Sequence, residues 1–186
     1  MSLILASGSP RRRELLALIT KDFTICASDL DESKIAADTP AHLAQALAVA
    51  KARAVALQHP EDIVLGCDTV VECGGEVFGK PRDEADAARM LRALSGGTHM
   101  VHTGVCVCGC GKAAYCVETS HVHFAPIAEE DLLRYIRTPE PYDKAGAYAI
   151  QGHAALWCSG IEGCYYNIMG LPVHRTAQLL SQFMPL

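Results

Sequence analysis

Two hydrophobic patterns alternate along this chain, and together they predict strands interleaved with helices. Compact apolar runs at residues 3–6 and 63–67 are typical of buried strands. After Thr39-Pro40, apolar residues recur every three or four positions and predict a long amphipathic helix. The apolar positions of that helix are Leu43, Leu47, Ala50, Ala54 and Leu57.

Turn residues divide the remaining chain into further elements. Gly74-Gly75 predicts a tight hairpin between strand 69–73 and a short strand 76–78. Further strands are predicted at 23–27, 99–108 and 113–124, with more strand material after residue 152. Further helices are predicted at 10–19, 83–94 and 127–137, and a last one after Leu171-Pro172. This interspersed order predicts an α/β or α+β fold with a mixed sheet.

Length and charge limit the classes of protein to which this chain can belong. A chain of 186 residues without repeats or linkers suits a single domain, residues 1–186. The net charge of −5 argues against a nucleic-acid partner or a membrane surface, because both require a basic face. No apolar run approaches the ~20 residues of a membrane span, and the N-terminus does not resemble a signal peptide. We therefore expect a cytoplasmic protein.

The nine cysteines do not indicate a disulfide framework. Their number is odd and nothing points to secretion, so we expect reduced thiols. Cys106, Cys108 and Cys110 alternate along a predicted strand, a pattern more typical of one sheet face than of a zinc site.

A first candidate site lies at the predicted strand–turn–helix segment 7–13. Ser9 is a good N-cap before Pro10, and Arg11, Arg12 and Arg13 follow in the first helical turn. Cations there oppose the helix dipole unless an anion sits above the turn, where serine hydroxyls and guanidinium groups would bind it. The segment is therefore either a phosphate site or a solvated basic helix start.

A second candidate is Asp68, which stands between two apolar runs. A carboxylate buried there must be paired or must hold a metal. Two functional interpretations follow, a Mg²⁺ ligand or a general base for water, beside a structural one in which Asp68 caps a turn.

Three more charged residues complete the candidates. The hairpin after Asp68 returns Lys80 to its neighbourhood, unless Lys80 belongs to an exposed loop. In the acidic loop 29–33, Glu32 offers the second carboxylate that a Mg²⁺ site usually needs. Considered alone, Lys51 has the pattern of a surface residue.

Taken in order, these motifs resemble the Maf family of nucleoside triphosphate pyrophosphatases over nearly the whole chain. The matching segments are 5–16, 31–33, 50–52, 66–71, 79–83, 94–105 in part, 143–152, 161–163 and 167–172. The resemblance implies a Maf/ITPase-like α/β fold with a bent mixed sheet flanked by helices, a cleft between two lobes, and often a homodimer. It also implies Mg²⁺ or Mn²⁺ and the release of pyrophosphate from a non-standard or surplus nucleotide.

The resemblance assigns roles to particular residues. Asp68 matches the family's proton acceptor. The conserved phosphate and metal site matches Ser7, Arg12, Glu32, Lys51 and Lys80. We therefore expect catalysis by Asp68, Lys80 and Glu32, with Asp68 and Glu32 holding the metal. The expected substrate-binding residues are Ser7, Ser9, Arg11, Arg12, Lys51, Thr69 and Gln151.

Arg11, Thr69 and Gln151 match the family branch that acts on dTTP and UTP, whereas the 7-methyl-GTP branch tends to have Trp, Gln and Glu there. The Gln151 amide offers the donor and the acceptor that a uracil or thymine edge requires. His153-Ala154 replaces the family's usual Leu-Gly beside this residue. The alternatives are a pyrophosphatase for 7-methyl-GTP or another modified nucleotide, and a regulatory protein of cell division.

Overall fold

The computed structural model describes residues 1–186 and contains one seven-stranded mixed sheet. Its strands follow the order β2-β1-β3-β5-β6-β7, and β4 pairs with β3. β1 is parallel to β2 and β3, and all other pairs are antiparallel. The strands are β1 Leu3–Leu5, β2 Phe23–Ile25, β3 Ile63–Cys73, β4 Glu76–Phe78, β5 Thr98–Gly109, β6 Lys112–Phe124 and β7 Cys158–Glu162. The predicted α/β class with a mixed sheet is confirmed.

Six α-helices accompany the sheet. They are α1 Pro10–Leu16, α2 Pro40–Ala56, α3 Glu84–Leu94, α4 Glu129–Tyr135, α5 Tyr165–Met169 and α6 Val173–Leu180. Short 3₁₀ turns lie at Glu32–Lys34, Glu140–Asp143, Ala145–Ala147 and His153–Leu156. None of the helices has both the length and the apolar character that a membrane span requires.

Three local predictions need correction. The alternative that Asp68 caps a turn is wrong, because Asp68 pairs with Gly104 of β5 within one strand that includes both predicted runs, 63–67 and 69–73. Helix α4 is shorter than predicted because Ala128 is still extended. The sequence predicts only strand material before Leu171, but residues Tyr165–Met169 form the short helix α5, which ends at Gly170 with a left-handed backbone.

The two faces of the sheet are covered differently. The larger core, 32 buried residues, packs the sheet against α1, α3, α4 and α6. A smaller core on the α2 side contains Val64, Cys106 and Cys108. The predicted placement of these two cysteines on one sheet face is confirmed, and all nine cysteines are free thiols. Cys110 lies beyond this face, in the turn between β5 and β6.

Helix α2 approaches the sheet backbone at two glycines. A Cβ atom on Gly66 would lie 2.5 Å from the carbonyl oxygen of Ala48, and one on Gly104 would lie 2.3 Å from that of Ala44. Any larger residue at either position would push the helix outward. The missing side chains therefore let α2 lie directly over β3 and β5.

We predict that Gly104→Ala destabilises the protein. The added methyl group overlaps the α2 backbone, so the free energy of unfolding in urea should fall by about 1–3 kcal/mol. Gly97→Ala is the matched control, because its Cβ would meet its nearest atom at an ordinary 3.7 Å. Equal stability of the two variants would contradict the close packing of α2.

Candidate active site

One edge of β3 lacks a strand neighbour over residues 66–70, where the sheet opens into a cleft. β1 pairs with β3 only as far as Leu65, and β4 begins to pair with it at Val71. The opposite edge is paired with β5 throughout. Asp68 and Thr69 point to opposite faces of the strand but both reach the cleft at this open edge.

All ten residues expected to act in catalysis, substrate binding or metal binding line this cleft, a cavity of about 700 Å³. They are Ser7, Ser9, Arg11, Arg12, Glu32, Lys51, Asp68, Thr69, Lys80 and Gln151. The structure thus brings together segments from the N-terminal turn, α2, β3, the hairpin and the chain beyond α4. Their chemical roles stay a prediction.

Lys51 lies between two carboxylates. Its Nζ is 2.5 Å from Asp68 Oδ1 and 2.8 Å from Glu32 Oε1. Lys51 is 9% exposed and Asp68 is 8% exposed. Burial disfavours the charged ammonium, but the two carboxylates outweigh burial and raise the pKa of Lys51. The expectation of a surface lysine is therefore wrong, since α2 carries Lys51 into the sheet interface.

The donor set fits a divalent cation. Two carboxylates from separate segments, Asp68 on β3 and Glu32 in a 3₁₀ turn, converge on one positively charged atom. Hard carboxylate oxygens are the ligands that Mg²⁺ takes in proteins, usually one or two of them beside substrate phosphates. The protein contains no cluster of three or more His, Cys, Asp or Glu side chains arranged for a metal. A cation here would need oxygens from water or from a phosphorylated ligand.

Arg12 is held rigidly without being neutralised. Its guanidinium donates to the Gly170 carbonyl oxygen at 2.9 Å, to Thr69 Oγ1 at 3.1 Å and to Ser7 Oγ at 3.3 Å. None of these acceptors is charged. Ser9 occupies the N-cap position of α1, but its side chain makes no capping hydrogen bond. Arg12 therefore brings a full positive charge to the cleft, and the Ser9 hydroxyl is available to a ligand.

The other cations divide between the cleft and the surface. Lys80 lines the cleft, as the hairpin predicted, and has no ion-pair partner in the protein. Arg11 makes only a long, partly exposed pair with Asp143, at 3.4 Å. Arg82 instead binds Asp86 at the start of α3. Arg13 lies outside the cleft lining.

Sequence reasoning missed a buried relay behind Thr69. Thr69 Oγ1 is 2.9 Å from Thr103 Oγ1, which donates to the Asn167 carbonyl oxygen at 3.0 Å. Asn167 is fully buried, and its amide donates to Val101 O and Ser120 Oγ, each at 2.9 Å. This relay fixes Thr69 and through it Arg12. The sequence signal for this relay is the polar Asn167, which stands among the apolar residues of α5.

Gln151 stands at the rim of the cleft on a tight turn. The turn is closed by the Gly152 N–H, which donates to the Ala149 carbonyl oxygen at 3.0 Å. Gln151 is exposed, lines the cleft and makes no side-chain hydrogen bond within the protein. His153, the next residue but one, does not line the cleft.

The mixed sheet and its flanking helices define an α/β protein with a charged cleft at an open strand edge. In fold the chain resembles a solved structure of the Staphylococcus aureus Ham1 protein, with a TM-score of 0.52 and 15% identity over 98% of this chain and 96% of that one. Residues 2–183 match the family model described as Maf-like protein. The chain belongs to the Maf family.

Similar proteins cover almost the whole chain. It is 50% identical to the dTTP/UTP pyrophosphatase of Symbiobacterium thermophilum over 97% of this chain and 93% of that protein. It is 49% identical to the dTTP/UTP pyrophosphatase of Koribacter versatilis, over 98% and 94%. The protein of the same description from Bacillus cytotoxicus is 47% identical over 97% and 94%.

We predict that Lys51→Met destabilises the fold, because it leaves the buried Asp68 carboxylate without its cation. Breaking a buried pair in this way costs about 3–5 kcal/mol, which urea unfolding would measure. Lys34→Met, which removes an exposed ion pair with Asp31, should cost less than ~1 kcal/mol. A loss in Lys51→Met no larger than in this control would contradict the proposed strength of the buried pair.

Proposed function

We propose that this protein hydrolyses a nucleoside triphosphate, with dTTP and UTP favoured, to the nucleoside monophosphate and pyrophosphate, and so removes non-standard or surplus nucleotides. The observation that carries the proposal is the convergence of Asp68 and Glu32 with Lys51, Lys80 and Arg12 in one cleft. The dTTP/UTP pyrophosphatases that are about half identical to this chain support the same reaction.

Asp68 and Glu32 would hold Mg²⁺ or Mn²⁺ in this proposal. When bound, such a cation draws charge from phosphate oxygens and acidifies a coordinated water. Lys51, which bridges the same two carboxylates, would move to a phosphate oxygen or remain beside the ligands. In either arrangement its positive charge stays in the cleft.

Asp68 would act as the general base. Its Oδ1 faces Lys51, which leaves the other oxygen for a water that attacks the α-phosphorus. The bond from that phosphorus to the bridging oxygen breaks, and pyrophosphate leaves with the bonding electron pair. Arg12 and Lys80 would neutralise the leaving charge, since unit charges ~4 Å apart are worth about 4 kcal/mol at an intermediate dielectric.

Gln151 would read the base. Its unpaired amide supplies a donor and an acceptor, and both can pair with the N3–H and a carbonyl of uracil or thymine. Hydrogen-bond readout can reject a mismatched base by ~10⁴-fold, whereas the thymine methyl is worth only ~1–3 kcal/mol. Both dTTP and UTP should therefore be substrates.

We further propose that residues 1–186 act as one domain in a cytoplasmic homodimer without a nucleic-acid partner. The family match over residues 2–183 supports a single domain. The homodimer rests on the family resemblance alone, and light scattering of the purified protein would test it.

A nucleotide panel with Mg²⁺ tests the function. We expect UTP and dTTP to give the monophosphate and pyrophosphate without orthophosphate, at rates well above those of CTP, GTP and 7-methyl-GTP. Faster turnover of 7-methyl-GTP would assign the protein to the other branch. Absence of turnover with every nucleotide would favour a regulatory protein instead.

We predict that Asp68→Asn reduces kcat for UTP by about 10²–10⁴-fold, because the amide cannot accept the proton of the attacking water. Circular dichroism should show an unchanged fold. Asp22→Asn, at an exposed position away from the cleft, is the control and should keep full activity. Near-normal rates in Asp68→Asn would remove Asp68 from the mechanism.

We predict that Gln151→Glu lowers kcat/KM for UTP by more than about tenfold, because a carboxylate cannot donate to a base carbonyl. Steady-state kinetics with UTP and GTP would measure the change in preference. Gln178→Glu places the same charge on the exposed face of α6 and should have no effect. If Gln151→Glu keeps the pyrimidine preference, Gln151 does not read the base.

A further inference from the structure

We propose that Glu140 is a positioning residue for base selectivity, which it controls by anchoring the turn that carries Gln151. This inference rests on the proposed function, in which Gln151 reads the base. Glu140 does not line the cleft, so it can act on a nucleotide only through other residues.

The Glu140 carboxylate binds the backbone two residues after Gln151. The His153 N–H donates to Glu140 Oε1 at 3.1 Å and to Oε2 at 3.3 Å. Oε1 also accepts the Tyr135 hydroxyl at 3.0 Å. One carboxylate oxygen thus joins the turn to α4, the helix that ends at Tyr135.

Gly152 brings the turn into direct contact with this carboxylate. A Cβ atom on Gly152 would lie 1.9 Å from Glu140 Oε1, so any side chain there would displace the carboxylate. The backbone of Gly152 is extended and has a negative φ of −97°, so no left-handed conformation requires glycine there. The glycine is therefore needed for the contact with Glu140 and not for its own conformation.

Tyr135 makes the anchor rigid. Its ring is buried and packs edge-to-face on Trp157 at 5.0 Å between centroids. Burial, with Glu140 nearby, raises the pKa of Tyr135 far above its ordinary value, so its hydroxyl stays a donor at every pH of interest. The Glu140 carboxylate is thereby fixed between a buried hydroxyl and the turn.

The same geometry explains why His153 is compatible with pyrimidine selectivity. His153 contributes its backbone N–H to Glu140, which Leu would supply equally. Its imidazole stacks on Tyr135 at 6.2 Å between centroids and lies outside the cleft lining. The departure from the family's usual residue therefore preserves the backbone contact with Glu140.

The experiment compares kcat/KM for UTP and CTP, which differ only at the base edge, in four variants of the full chain. Glu140→Ala removes the anchor, and Gly152→Ala displaces it while Glu140 is still present. Glu140→Gln keeps the Oε1 acceptor that serves both Tyr135 and His153. Glu130→Ala removes an exposed glutamate of α4 that only pairs with Arg134 and serves as the control.

We expect the UTP-to-CTP ratio to fall roughly 10- to 100-fold in Glu140→Ala and Gly152→Ala, since a displacement of about 1 Å has effects of this size. Glu140→Gln should recover the ratio to within about threefold of the wild type, and Glu130→Ala should match the wild type. Inhibition by inorganic pyrophosphate should be unchanged in all four, because the phosphate end of the cleft is not touched.

Two results would overturn the inference. One is an unchanged UTP-to-CTP ratio in both Glu140→Ala and Gly152→Ala, while Gln151→Ala abolishes the selectivity. The other is a parallel loss of pyrophosphate inhibition and selectivity, which would show a general structural defect. A wild-type protein that releases no pyrophosphate from any nucleotide would instead refute the proposed function, and this inference with it.

Discussion

The carboxylate of Asp68 is buried where β3 borders the cleft, and the cost of removing it from water constrains its surroundings. A buried ion keeps its charge only if a close partner compensates it, and Lys51 Nζ at 2.5 Å is that partner. The lysine reaches this position because α2 lies directly on the backbone of Gly66 and Gly104. Gly66 and Gly104 thereby allow Lys51 to pair with Asp68.

The second constraint is the open edge of β3. Where β1 has ended and β4 has not begun, both faces of one strand are accessible from the same side. Asp68 and Thr69 therefore serve one cleft although they alternate across the sheet. Asp68 carries the negative charge, and Thr69 supports Arg12, whose charge no carboxylate neutralises. Such a separation of charges suits a ligand that carries both phosphates and a bound cation.

Sequence patterns predicted the parts of this site that depend on local order along the chain. The hairpin after Asp68 predicts that Lys80 lies near the cleft, and the turn before α1 predicts the same for Ser7 and Arg12; all three residues line it. These predictions succeeded because a strand, a turn and a helix fix the direction of the residues between them.

The parts that failed depend on how elements approach one another. Lys51 has the pattern of a surface residue because the periodic apolar positions of α2 include the exposed Leu57 and miss the buried face, which carries Ala48, Lys51 and Ala52. A glycine within a strand pattern, such as Gly104, indicates that another backbone approaches closely, but it does not identify the approaching helix. The relay from Thr69 to Asn167 joins residues about a hundred positions apart, and no local pattern encodes such a contact.

The central claim is that water attacks the α-phosphorus of a triphosphate held in this cleft. Hydrolysis of UTP in ¹⁸O-enriched water, with mass spectrometry of both products, tests it most directly. We predict that one ¹⁸O atom enters UMP and none enters pyrophosphate. Label in pyrophosphate, or release of labelled orthophosphate, would place the attack on another phosphorus and contradict the account.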